Sequence, residues 1–169
     1  MCRRDTFRVK SLCQNGDKFC VGEQFVRCEN TGSRSRISAY AADGSVYEGE
    51  WDQETGYFLK RTIKYADGAV YEGEWKNDKY NGQGTQYLGG SEVGPDVDFY
   101  VGEFVDGYRE GHGTYTWVSS GDTLEGTWVD SKTNGILTYT YADGTVVYEE
   151  YDNGTLIEKR DKDGNLVEN

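Results

Sequence analysis

Rings and acids alternate in short bursts along this chain. At Tyr47-Glu48-Gly49-Glu50-Trp51 the odd positions read ring, glycine, ring, and both even positions are glutamate. A period of two predicts a strand whose side chains alternate between faces. Tyr47, Gly49 and Trp51 then share one face, with Glu48 and Glu50 on the other. The burst returns at Tyr71/Gly73/Trp75, Tyr100/Gly102/Phe104 and Leu124/Gly126/Trp128. Glycine between two large side chains leaves space into which a neighbouring ring or backbone settles.

Turn signals bracket each burst. Asp43-Gly44 and Asp67-Gly68 lead in, and Asp-Gly is a strong hairpin signal. The stretches 76–82 and 105–111 behind the bursts read as second turns. Returning strands follow at Gly82-Gln83-Gly84-Thr85-Gln86-Tyr87, at Gly111-His112-Gly113-Thr114-Tyr115-Thr116-Trp117 and at Ile136–Tyr141. Each unit is thus strand, turn, strand, turn. The glycines Gly49, Gly73, Gly102 and Gly126 are spaced 24, 29 and 24 residues apart. An insertion at Gly89–Asp98, holding the single proline, Pro95, explains the longer step. A fixed period in this range predicts an array of stacked units with atypical ends. A worn unit follows Asp143-Gly144, where Val147, Glu149 and Tyr151 stand in for ring, glycine and ring. Another is expected near Asn15–Phe25. The chain divides into a head at 1–36, an array at 37–151, and a terminal hairpin or tail at 152–169.

These residues resemble the MORN repeat: Tyr-x-Gly-x-Trp, a polar turn, Gly-x-Gly-x-Tyr, then Asp-Gly before the next unit. The resemblance is close over 43–85 and 99–128, looser over 129–151, and covers about two-thirds of the chain. Gly56 standing alone and Gly135-Ile136-Leu137 depart from the pattern. The resemblance implies an all-β fold: an elongated array of antiparallel β-hairpins forming a single twisted, groove-like sheet. It also implies a scaffold, or a targeting module attached to an enzyme, in ciliary, cytoskeletal or membrane-associated assemblies. The repeat-structural glycines are Gly49, Gly73, Gly82, Gly84, Gly102, Gly111, Gly113 and Gly126.

Charge changes the picture of partners. The 169 residues carry a net charge of −12, unevenly spread. Residues 1–36 hold eight basic and four acidic residues, so the rest of the chain carries −16. Such a body repels nucleic acid and acidic head groups, which leaves the basic head for any polyanion. Cys2, Arg3, Arg4 and Arg8 are the lipid or anion candidates, with Cys2 open to acylation. No apolar run is long enough for a transmembrane helix, and Met1–Cys13 lacks the apolar centre of a secretory signal. An intracellular site is expected, cytoplasmic or associated with cytoskeleton or cilium, with organelle import left open.

Candidate chemistry is sparse. His112, the only histidine, lies between glycines with no nucleophile or orienting carboxylate apparent in the sequence. Cys2, Cys13, Cys20 and Cys28 contain no Cys-x-x-Cys pair, so free thiols are favoured over zinc or disulfides. Asp161–Asn165 places glycine fourth rather than sixth for a calcium loop. It reads as a turn, as does the Asn153-Gly154-Thr155 sequon. No metal, cofactor or catalysis is expected. Tyr47, Trp51, Tyr71, Trp75, Tyr100, Phe104, Tyr115, Trp117 and Trp128 either build the ladder, each ring covering a neighbour's glycine, or line a partner groove. The favoured function is a scaffold that docks onto protein partners in a larger assembly. The alternatives are a lipid-tethering module using the head and a regulatory subunit of a separate enzyme.

Overall fold

The computed structural model describes residues 18–21, 24–30, 34–40, 44–52, 58–76, 79–89 and 96–168, with side chains at 44–49, 60–76, 79–89 and 96–168. The described residues form strands joined by turns. The strands are β1 (Lys18–Val21), β2 (Gln24–Asn30), β3 (Arg34–Tyr40), β4 (Val46–Asp52), β5 (Phe58–Lys64), β6 (Val70–Lys76) and β7 (Lys79–Tyr87), followed by β8 (Phe99–Val105), β9 (Tyr108–Trp117), β10 (Asp122–Val129), β11 (Lys132–Thr133), β12 (Gly135–Thr140), β13 (Val146–Asp152) and β14 (Thr155–Asp161). They pair in chain order into one open antiparallel sheet, with the short β11 pairing only β10. The hairpins β4–β5, β6–β7, β8–β9, β10–β12 and β13–β14 are units 1 to 5 below.

The lead-in turns close as expected: Gly68 N–H donates to Tyr65 O at 3.0 Å, and Gly144 N–H to Tyr141 O at 2.9 Å. The strands on either side of the insertion, β7 and β8, pair directly, and Leu88 N–H donates to Asp98 O at 2.9 Å. The second turns are much tighter than the seven-residue stretches suggest. Val105 pairs with Tyr108, leaving only Asp106 and Gly107 in the turn, at φ 50° and 96°. Two left-handed residues match the twist of the flanking strands. The surplus residues enter the returning strand as a bulge. From Gly102↔Gly113 to Phe104↔Arg109 one strand advances two residues and the other four. Gly82, Gly111 and Gly135 mark this bulge in successive units at φ 71°, 70° and 79°, a conformation glycine adopts without penalty.

One face carries the core. Register places Tyr71, Gly73, Trp75, Tyr100, Gly102, Phe104, Leu124, Gly126 and Trp128 on it. Its buried cluster is Ile63, Tyr71, Tyr100, Phe104 and Trp128, with Tyr47, Tyr65, Trp75, Tyr80 and Tyr115 packed against it. This is the front face. The tail continues the same geometry: β14 pairs with β13, and Arg160 bridges Leu166 beyond the next turn.

Candidate binding face

The ladder is built from one repeated device. In unit 2 the Tyr71 ring lies over the facing pair Gly73 and Gly84, and its hydroxyl donates to Glu74 O at 3.0 Å. A Cβ on Gly84 would stand 2.5 Å from that hydroxyl, and one on Gly73 2.6 Å. Tyr100 covers Gly102 and Gly113 in the same way and donates to Glu103 O at 3.4 Å. The ring therefore covers the glycines of its own hairpin, not a neighbour's. The tyrosine spans the two residues to its own strand's glycine, and the partner-strand glycine sits opposite.

Units are joined ring to ring. Tyr71 meets Phe104 edge-on at 5.1 Å, and Tyr100 meets Trp128 at 5.1 Å. Such edge contacts add about 0.5–1.5 kcal/mol each beyond area burial. Backbone ties repeat too: Gly107 N–H donates to Tyr80 O, Ser131 N–H to Arg109 O, and Gly154 N–H to Thr133 O. Opposite Phe104, Arg109 lays its guanidinium 4.9 Å from the Tyr100 ring centre and 5.4 Å from that of Trp128. It donates two hydrogen bonds to Gln86 Oε1, at 3.0 and 2.9 Å. Burial holds Arg109 below its ordinary pKa and pushes Tyr100 up to about 12, which keeps the phenol protonated at neutral pH.

The worn units fill the glycine positions differently. Unit 1 pairs Gly49 with Arg61, whose guanidinium lies 3.7 Å from the Trp75 ring centre. Unit 4 has Leu124 for the tyrosine and Leu137 for the second glycine, and a Cβ on Gly126 would meet Leu137 Cγ at 2.5 Å. The leucine side chain occupies the space the ring fills elsewhere. Unit 5 pairs Glu149 with Lys159. The buried carboxylate meets the ammonium at 3.0 Å and accepts from Tyr151 Oη at 2.8 Å, while Lys159 also donates to Tyr141 Oη at 2.8 Å. Burial alone would lower the Lys159 pKa, but these partners outweigh it and raise it.

Beyond the buried cluster the front face continues as an open strip. Tyr115, Trp117, Tyr139 and Tyr141 are half-buried, with ring centres 4.7, 5.5 and 4.8 Å apart in turn. Lys159 Nζ lies 5.3 Å from the Tyr139 ring centre and 5.2 Å from that of Tyr141. Two aspartates hold the strip. Asp98 accepts from Val118 N–H at 2.9 Å and Tyr115 Oη at 3.4 Å. Asp122 accepts from Ala142 N–H at 2.9 Å and Tyr139 Oη at 2.8 Å. The Tyr139 and Ala142 bonds hold the Asp122 carboxyl below its usual range. A depressed carboxyl stabilises the fold fully above its unfolded pKa of about 4, and that contribution is lost as pH falls through the lower folded value. Acid below pH 4 should therefore loosen the strip before the buried ladder, visible as early hydrogen exchange in β12. Asp122→Asn should abolish that pH dependence locally.

The nine sequence-nominated aromatics divide. Tyr71, Tyr100, Phe104 and Trp128 are buried in the ladder, while Tyr47, Trp75, Tyr115 and Trp117 are half-buried. The side chain of Trp51 lies outside the described residues, as do Cys2, Cys13, Arg3, Arg4, Arg8 and the side chains of Cys20 and Cys28. His112 projects from the back face, 3.6 Å from Glu125. Among the described residues no group of His, Cys, Asp or Glu is placed to hold a metal, and no helix is long and apolar enough to cross a membrane.

The MORN repeat family model matches residues 71–89, 100–121 and 125–146, which are the hairpins of units 2, 3 and 4. The chain is a MORN-repeat protein. No curated protein matches it. MORN repeats occur in proteins that engage other proteins or membranes. Here the MORN device of one ring over two glycines is complete in units 2 and 3, and units 4 and 5 replace it piece by piece. The strip members Tyr139, Tyr141, Asp98, Asp122 and Lys159 were not nominated from sequence, though a signal existed. Asp98 and Asp122, Tyr115 and Tyr139, and Trp117 and Tyr141 are each 24 residues apart.

Proposed function

We infer that this MORN array is a non-catalytic scaffold that docks a protein partner along its front face, with the strip Tyr115–Trp117–Tyr139–Tyr141 as the anchor. The carrying observation is that these four rings leave the buried cluster yet stay ordered by Asp98, Asp122 and one another. Rings already held in place lose little freedom on binding and make strong anchors. The tyrosine hydroxyls and the carboxylates of Asp98 and Asp122 supply a polar rim that orients a segment laid across the strands. The acidic body disfavours lipid head groups and nucleic acid and leaves protein as the partner, inside the cell and within a larger assembly.

The test compares the tagged chain with a Trp117→Ala/Tyr141→Ala variant, each purified from its native cell, with co-purifying proteins and lipids quantified. Specific proteins near stoichiometry with the parent, and at least tenfold less with a still-folded variant, are expected. Acidic lipids without a protein partner, or turnover by the isolated chain, would overturn this reading.

A further inference from the structure

The back face has its own asymmetry. Ladder spacing makes its positions comparable between units, because the two x residues of ring-x-Gly-x-ring always point there. In unit 2 these are Glu72 and Glu74, flanked by Lys76 and Lys79. Unit 3 places Val101, Val105 and Tyr108 at the equivalents of Glu72, Lys76 and Lys79. Unit 4 adds Val129 and Ile136, and unit 5 adds Tyr148. Of the large exposed apolar side chains among the described residues, register puts Val101, Val105, Tyr108, Val129, Ile136, Tyr148 and Leu166 on this face. Ile136 is 69% exposed and Tyr108 55%.

No ladder device covers these side chains. Their front-face counterparts sit under rings, whereas the back-face row runs Val101, Thr114, Glu125, Thr138, Tyr148 across adjacent strands. Apolar side chains gathered in units 3 to 5, while the same repeat positions stay charged in unit 2, mark an interaction surface rather than a folding requirement. The charges among them are mostly acidic: Glu103, Glu125, Glu150 and Glu158. The basic groups facing them are His112 against Glu125, Arg160 paired with Glu158, and Lys132 at the rim, which bonds Asn153. Glu103 stands with the apolar side chains and faces solvent, and Glu150, also exposed, lies within electrostatic reach of Arg160.

We propose that the back face of units 3 to 5 is a second docking surface, on the opposite side from the aromatic strip, and that it takes a basic amphipathic helix of a protein partner. Such a helix sets leucine-like side chains on Val101, Ile136 and Tyr148 and lysine or arginine on Glu103, Glu125 and Glu150. One array would then hold two partners, one on each side of a single-layer sheet.

The probe is an 18-residue helical peptide with leucine on one face and lysine on the other, titrated into the full chain. Its leucine/glutamate counterpart is the control. The lysine peptide should bind and weaken steeply with salt. The variant Val101→Thr/Ile136→Thr/Tyr148→Thr, whose threonines match the β-forming residues already in that row, should weaken it at least tenfold. Trp117→Ala on the front should leave it within twofold. Equal binding by the threonine variant, loss of binding through Trp117→Ala, equal binding of the glutamate peptide, or no binding at all would each overturn the proposal. Front-face docking is read by the Trp117→Ala/Tyr141→Ala purification, so either surface can fail alone.

Discussion

Gly113→Leu should unfold the middle of the array, and adding Tyr100→Leu should restore much of it. A Cβ at position 113 would fall within the Tyr100 ring, and that ring has 0% exposure. It has nowhere to go: Phe104 and Trp128 hold it edge-on at 5.3 and 5.1 Å. Overpacking of this kind costs about 1–3 kcal/mol, and more where the neighbours cannot yield. The upper end is expected here. Tyr100→Leu alone leaves a void and should cost about 2–3 kcal/mol. The double variant recreates the arrangement of unit 4, where Leu124 and Leu137 stand at these two positions. Its cost should fall well below the sum of the single changes. Urea unfolding followed by tryptophan emission, with hydrogen exchange on β8 and β9, reads the effect. Strict additivity would mean that the leucine pair in unit 4 is no substitute for the ring.

The second large effect lies in unit 5. Removing one member of the Glu149–Lys159 pair should cost about 3–5 kcal/mol, because the partner is left charged and largely buried. Glu149 is 4% exposed, and the Lys159 side chain 14%. Lys159→Ala leaves the Glu149 carboxylate with Tyr151 alone, and Glu149→Ala leaves the ammonium with Tyr141 and two ring faces. Replacing both, as Glu149→Leu/Lys159→Met, should be close to neutral, since a buried pair gives little net stability over apolar groups of similar volume. Unfolding curves for the four proteins, with hydrogen exchange on β13 and β14, test this. A double variant as unstable as the singles would show that the charges hold unit 5 together.

The strand order and the front face were legible because the signal is doubled: alternation within each strand and recurrence of the burst at intervals of 24, 29 and 24 residues agree. Lengths of the second turns were not. A polar run such as Val105–Gly111 looks like one loop, because the bulge that returns Tyr108–Gly111 to the sheet depends on the backbone conformation of Gly111. Which ring covers which glycine was also hidden, since it depends on where the Tyr71 and Tyr100 hydroxyls find a carbonyl. The division of the aromatics between ladder and strip follows from depth. Tyr100 and Tyr115 are paired neighbours, yet only the first is fully buried. Arg61 and Lys159 take the places that Gly84 and Gly113 hold in units 2 and 3, which only cross-strand register shows.

The most direct test of the docking scaffold is photo-cross-linking from the strip. A photoreactive phenylalanine analogue replaces Trp117 in the tagged chain, and a second version carries it at Lys76, away from the strip. Both are irradiated in the native cell. The scaffold account predicts a specific protein bonded through position 117, absent from position 76, and displaced by excess unmodified chain. Cross-links to lipid alone, or the same proteins from both positions, would contradict it.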